Sequence, residues 1–541
     1  MRLNSKLFLT FLLGCCAAQT TNSERQIAII GAGPAGASTA YHLKKFADLA
    51  GVHVNITLFE KTDHIGGRTL TVNAFNDPSQ RVELGATLFA DANQILNDSL
   101  AEFDLEVRER GPDAEPKMGI WDGDRFIFTE DERAGKIANL LNMAFKYGPV
   151  TPKRAESLTA ATVGKFLQLY NAPFFPFTSL TKRVAELGLG AATFTTGEEF
   201  LQANDISGPF SREVIQAAVR ANYVTNLANI HGLDTMVSLA AAGAKSVQGG
   251  NWQIFREMAH RSGASVLLNT AVVSLEKTQG KYTVKATSGS TPGNPTAHPV
   301  AFDNVIIANP LQFSGMSVAK AVLKTTIEPV SYVNLHVTLF TSKHRFRPGF
   351  FGLRACPPLA PKFLPELLGF RVCGEAPGVV ITTLAKSDNA NSGADGVGKA
   401  GFFSLSGQGN FTNPQTKKPE YLYKIFSPQA VTPEFLSNLL GGTVPSTFTG
   451  GASPISWYFP HTFNAFPKAI PRTSFPEHVV GDGVYYTSAM EPFISTMETS
   501  ALMGKNVAQL IVDDMRGISS GGPVWARPRE LKVVGQNVLG R

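Results

Sequence analysis

An α/β fold organised around a Rossmann-like sheet is what this 541-residue sequence predicts, on three observations. First, the β-branched run Arg25-Gln26-Ile27-Ala28-Ile29-Ile30 breaks into Gly31-Ala32-Gly33-Pro34-Ala35-Gly36, and a helix-forming stretch follows through Leu43. Second, a further apolar run ends on an acid, Glu60, 24 residues beyond Gly36. Third, strand-like runs recur far down the chain, at 264–275, 302–310 and 483–491, so the sheet is assembled from distant segments.

Each part of the opening motif has a physical task. Gly31 makes the tight turn after the strand, Gly33 lets backbone approach a pyrophosphate, and Gly36 lets helix pack on strand. Pro34 and Ala35 begin a helix whose N-terminus offers free N–H groups and a positive dipole end to phosphate oxygens. Glu60, followed by Lys61, stands where a carboxylate meets a ribose 2′-hydroxyl, and it would repel a 2′-phosphate, which disfavours NADP.

Asp63-His64-Ile65-Gly66-Gly67-Arg68 comes almost at once. The Gly66-Gly67-Arg68 turn, and the Glu83-Leu84-Gly85-Ala86 segment after it, resemble the amine-oxidase-like flavoprotein superfamily. The resemblance implies FAD rather than NAD. It assigns Gly66, Gly67, Arg68, Gly85 and Ala86 to the flavin side of the cradle and the backbone of Val272 and Val273 to the adenine. It also assigns Glu491, Thr496 and Met497 to a C-terminal segment whose helix N-terminus faces the isoalloxazine.

The fold class is therefore α/β, with a discontinuous, Rossmann-like two-dinucleotide-binding FAD domain from 24–100, 245–312 and 478–518. An α+β substrate domain fills 101–244 and 313–477. Within it, 130–245 reads as mostly helical, 313–477 alternates as a mixed sheet, and 388–398 reads as a loop. Residues 1–18 read as a signal peptide, with Arg2 and Lys6 before a short apolar run from Leu7 to Gly14. That predicts the secretory pathway, ending in a vacuole or lysosome or outside the cell. Residues 519–541 read as an irregular tail. No run is long enough for a transmembrane helix, although a lipophilic substrate leaves peripheral membrane contact open. Cys356 and Cys373 are either bridged or two buried thiols, and sequons stand at Asn55, Asn97 and Asn410, the last in a Gly/Ser/Asn-rich loop.

The net charge of +6 comes from scattered basic residues with no block beyond a pair, which argues against nucleic acid. No cysteine–histidine cluster suggests a metal. No nucleophile triad is evident, and no second G-x-G-x-x-G provides for NAD(P)H, which leaves dioxygen as the electron acceptor.

Several further segments resemble the prenylcysteine oxidase (prenylcysteine lyase) family: Val219-Arg220-Ala221-Asn222-Tyr223 leading into Ile230-His231-Gly232, residues 332–340, Tyr421-Leu422-Tyr423-Lys424-Ile425-Phe426-Ser427, and Trp457-Tyr458-Phe459-Pro460-His461. The resemblance covers nearly all of the chain after the leader. It implies an S-prenylcysteine substrate, hydride transfer to FAD from the carbon beside sulfur, capture by water, and collapse to cysteine, a prenyl aldehyde and hydrogen peroxide. The cofactor performs the hard step and the protein supplies orientation and an apolar pocket. Lys424, His231 and Arg220 are the catalytic candidates, with His461 a further partner for the amino-acid end. Phe174-Phe175-Pro176-Phe177 and Phe350-Phe351 are candidates for the pocket wall. Alternatives on the same fold are an oxidase of a lipophilic secondary metabolite and an amine oxidase. Against the latter, Tyr485 and Tyr486 are adjacent on a strand and point to opposite faces. A non-enzymatic alternative is a prenyl-binding escort.

Overall fold

The computed structural model describes residues 24–108, 117–131, 135–289, 293–353 and 374–518. The leader, the tail, Cys356 and Cys373 lie outside them.

The central sheet has six strands in the order Val479–Gly481, Val484–Tyr486, Asn304–Ile307, Arg25–Ile30, Val54–Phe59, Ser265–Leu267. All neighbours run parallel except the first pair. A parallel sheet must be covered on both faces, and the alternation of Arg25–Ile30 shows how. Ile27 and Ile29 face a layer containing helices Pro34–Ala50, Trp252–Arg261 and Met497–Met515. Ala28 and Ile30 face Val272, Leu275 and Val284 of a second sheet, ordered Thr296–Ala297, Lys281–Ser288, Thr270–Thr278, Ser317–Val318. Tyr485 and Tyr486 divide between the same two cores.

Helices Pro34–Ala50 and Met497–Met515 approach closely because small residues meet at the crossing. Ser38 Oγ donates to Ala501 O at 2.7 Å. A Cβ on Gly504 would overlap Ala35 O and stand 3.0 Å from Thr39 Oγ1.

A third sheet has seven strands, in the order Ile455–Pro467, Tyr332–Ser342, Pro419–Ser427, Ser404–Thr412, Val379–Thr382, Lys117–Trp121, Phe126–Asp131. It is antiparallel apart from the pairing of Val379–Thr382 with Lys117–Trp121. Asn410 lies in the strand Ser404–Thr412, not in a loop. Its Gly/Ser content reads as a turn locally, but pairing to Tyr421 fixes it in the sheet. Short helices between 136 and 239 pack beside this sheet. Among the described residues, no helix is long and apolar enough to cross a membrane.

The crossing at Gly504 predicts that Gly504→Val destabilises the protein by about 1–3 kcal/mol, because packed backbone must separate. Thermal unfolding measures it, and an unchanged midpoint would show that the helices part without cost.

Candidate active site

The site begins where the first strand ends. Gly31 has φ +107°, and a Cβ there would stand 3.0 Å from Ala308 O. On Gly36 a Cβ would overlap Gly31 O, so the turn closes only because both side chains are absent. Gly67 then brings its backbone against Gly33, where a Cβ would lie 3.1 Å from Gly33 Cα. The two glycine turns thus form one slot walled by backbone, at the N-terminus of Pro34–Ala50. Glu60 ties the slot together. Its Oε2 accepts from Ala32 N at 2.8 Å, and its Oε1 accepts from Thr62 N and Oγ1, each at 2.9 Å. Lys61 beside it is exposed.

Val272 pairs with Ala286 and Ser274 with Lys285, which leaves Val273 bulged out of the ladder. Thr496 caps Met497–Met515 by accepting from Thr499 N at 3.1 Å. These features fit FAD: a side-chain-free slot for pyrophosphate, a carboxylate at the ribose position, bulged backbone for adenine, and a helix N-terminus at the far end.

Arg68 joins this apparatus to the seven-stranded sheet. Its Nη2 donates to Glu491 Oε1 and its Nη1 to Ala465 O, both at 2.7 Å. Glu491 Oε2 accepts from Tyr332 OH at 2.8 Å. Glycine turn, C-terminal segment and two sheet strands converge on one guanidinium.

Between cradle and sheet lies a cavity of about 1570 Å³. Pro34, Arg68, Gly85, Ala86, Thr496 and Met497 line one side of it. The sheet forms the other side, and cross-strand register sets its chemistry. Val337, Phe426, Ser404 and Ile381 form one transverse row. Lys424, Ser406 and Val379 form the next. Phe463, Ala465 and Phe466 of strand Ile455–Pro467, with Val163 and Phe166 of helix Val150–Leu167, add an apolar end.

Lys424 is 4% exposed, and its Nζ donates to Glu83 O and Thr87 Oγ1, both at 2.9 Å. An ammonium carries three donors, so one remains. Burial pushes Lys424 down to about 8, against the opposing pull of Glu83. Burial likewise pushes the Glu83 carboxyl up to about 7, while Asn251 N, Lys424 and Arg108 draw it down.

The other catalytic candidates are not on the cavity wall. Arg220 is fully buried. Its Nε and Nη2 donate to Thr382 Oγ1, its Nη1 to Asn226 Oδ1 and Gly396 O, and its Nη2 also to Val397 O. It therefore fastens the turn at 394–397 to strand and helix, and burial lowers it to about 9. His231 is also fully buried and caps helix Gly232–Leu239, its Nδ1 accepting from Asp234 N at 3.1 Å. Burial lowers His231 to about 4 and raises Asp234 to about 8, with Tyr223 OH donating to Asp234 Oδ1 at 2.9 Å. His461 packs edge-on against Phe463 outside the wall. Phe177 and Phe351 are core residues, and the aromatic wall is made by Phe166, Phe426, Phe463 and Phe466 instead. Sequence reasoning missed Thr87, Tyr332 and the polar face of Ser404-Leu405-Ser406-Gly407-Gln408-Gly409-Asn410. Its alternation was the available signal.

Comparison with known proteins agrees with this architecture. Residues 130–520 match the prenylcysteine lyase family, and residues 29–103 match an NAD(P)-binding Rossmann-like domain. The chain is 27% identical to the farnesylcysteine lyase of Arabidopsis thaliana, covering 94% of this chain and 95% of that one. It is 27% identical to prenylcysteine oxidase 1 of Bos taurus, covering 93% and 92%. Among solved structures, cyclohexylamine oxidase from Brevibacterium oxydans superposes with a TM-score of 0.53 at 15% identity, over 91% of this chain and 100% of that one. At that identity the likeness concerns the fold.

If Arg220 is a fastener, Arg220→Met lowers thermal stability by about 3 kcal/mol or more, since several buried acceptors lose their donor. The folded fraction keeps its turnover number, measured per bound FAD. A turnover loss above tenfold at unchanged stability would return Arg220 to the chemistry.

Proposed function

The chain belongs to the prenylcysteine lyase family, and we propose that it is an FAD-dependent thioether oxidase that cleaves S-prenyl-L-cysteine to cysteine, a prenyl aldehyde and hydrogen peroxide. The observation that carries this reading is the cavity's pair of unlike ends, apolar toward Phe166, Phe463 and Phe466 and polar toward Ser406, Gln408 and Arg108, with Lys424 between them. A thioether joining an isoprenoid to an amino acid has the same division.

Charge favours an amino acid over a simple amine, which the shared fold leaves open. Arg68, Arg81, Arg108, Lys245, Lys417 and Lys424 line the cavity, against Asp77 and the carboxyls of Glu83 and Glu498, both held near 7. A simple ammonium would bring only like charge to this lining, whereas an amino acid also brings a carboxylate that it attracts.

In the reaction, the carbon between sulfur and the allylic double bond loses a hydride, and sulfur delocalises the resulting positive charge. FAD, held by the glycine turns at 31–36 and 66–68, would supply the hydride acceptor and the route for the electron pair to dioxygen. Water adds to the carbon, and the hemithioacetal collapses by breaking the carbon–sulfur bond, releasing cysteine and leaving the aldehyde. The chain holds the substrate extended across the sheet and excludes bulk water from the apolar end. Lys424 directs its third N–H at a water or dioxygen in the cavity. The leader residues carry the further reading that the protein acts in the secretory pathway.

The test is a side-by-side incubation with farnesylcysteine, a primary amine and a free prenyl alcohol, following peroxide, aldehyde and thiol. The three products should form in equal amounts from the thioether alone; turnover of the amine alone would overturn the assignment. Lys424→Met should slow turnover by about 10²–10⁴-fold, the range for a positioned proton donor. The ammonium is the donating form, so wild-type activity should fall as pH rises through about 8. The variant should lack that limb, and an identical limb in it would assign the titration elsewhere.

A further inference from the structure

Among the described residues, the polar end of the cavity has a charge with no carboxylate paired to it. Arg108 lines it, and no carboxylate among the described residues lies within 4 Å of its guanidinium. Among the described residues its guanidinium makes one side-chain bond, a long one, with Nη2 donating to Gln408 O at 3.4 Å. Two other basic groups on this wall are engaged: Lys245 pairs with Asp91 at 2.8 Å, and Arg81 lies over the Trp252 ring at 5.9 Å. Arg108 is nevertheless well placed. Its N–H donates to Ser246 O at 2.8 Å, and the preceding Val107 bridges to Val247. Its charge also reaches inward far enough to act on the Glu83 carboxyl beside Lys424.

The strand that leads to Arg108 is polar on its cavity face. Ser404 and Ser406 alternate with the buried Leu405, and within a break in register between Gly407 and Asn410 the cavity lining continues with Gln408. Ser406 stands directly across from Lys424 in the ladder. Polar groups therefore run from Lys424 through Ser406 to Gln408 and Arg108, and apolar groups run the other way, through Val337 and Phe463. Two residues of strand span about 6.6 Å, a distance that the carbons from a thioether sulfur to its α-carboxylate, together with an arginine, can bridge.

Resting on the thioether reading above, we infer that Arg108 is the carboxylate anchor of the amino-acid subsite. It sets substrate direction, with the cysteine end on the Ser406–Gln408 face and the isoprenoid toward Phe463 and Phe166. Selection falls on a free α-carboxylate over its ester.

The test is a cycle of two proteins and two ligands, on FAD-loaded enzyme. Binding of farnesylcysteine and of its methyl ester is measured by calorimetry on enzyme whose FAD has first been reduced anaerobically with dithionite, so that no turnover occurs, for wild type and Arg108→Met, with KM and kcat for both from peroxide release in air. Loss of a charge-assisted pair should weaken binding of the acid about ten- to a hundredfold. The ester should change less than threefold, kcat for the acid should persist, and Arg108→Lys should recover part of the loss. Equal weakening of acid and ester, or no weakening of either, overturns the anchor while leaving the thioether reading standing. Wild-type enzyme that neither binds nor oxidises farnesylcysteine overturns that reading, and the anchor with it.

Discussion

The structure depends on backbone meeting backbone without side chains between. Gly36 against Gly31 leaves no room for a Cβ, and a Cβ on Gly67 would press to 3.1 Å from Gly33 Cα. The slot they make has fixed dimensions, because hard-sphere contact rather than a flexible side chain sets them. Glu60 then locks the first glycine loop to Thr62 through backbone donors. Everything beyond inherits its position from this slot: the turn that carries Arg68, the cavity wall at Gly85 and Ala86, and the distance to the facing sheet.

Arg68 transmits that placement. Its bonds to Glu491 and Ala465, and the Tyr332 bond to Glu491, hold three distant segments around one buried carboxylate. The seven-stranded sheet is thereby presented at a set angle and register, and register decides which side chains face the cavity. Val337 and Phe426 make it apolar in one direction, while Lys424 and Ser406 make it polar in the other. A shift of one residue in the strand Ser404–Thr412 would place Leu405 or Gly407 where Ser406 now stands across from Lys424 and break the polar path.

The cradle was legible in sequence because each of its constraints is local. A strand, a glycine spacing and an acid after the next strand are all consequences of one turn. The fold class followed from the same features repeated along the chain. The catalytic residues were less legible, for a physical reason. Arg220 and His231 carry the groups that chemistry uses, but buried polar groups are equally demanded by turns and helix caps, and only burial distinguishes the two. Arg220 satisfies the turn at 394–397, and His231 begins a helix. The phenylalanine clusters misled in the same way, since Phe177 and Phe351 fill cores far from the cavity. Lys424, a catalytic candidate from the sequence, does line the cavity, yet its bonds to Glu83 O and Thr87 join residues more than three hundred positions apart. No local pattern encodes that convergence.

The glycine slot would hold FAD beside the cavity, where it would accept a hydride from a thioether substrate. Anaerobic mixing of the FAD-loaded protein with farnesylcysteine tests it most directly, by following the visible flavin absorption band and free thiol together. The account predicts bleaching of the band with one thiol released per FAD in a single turnover without oxygen. A band that stays at full strength while farnesylcysteine is bound would contradict it.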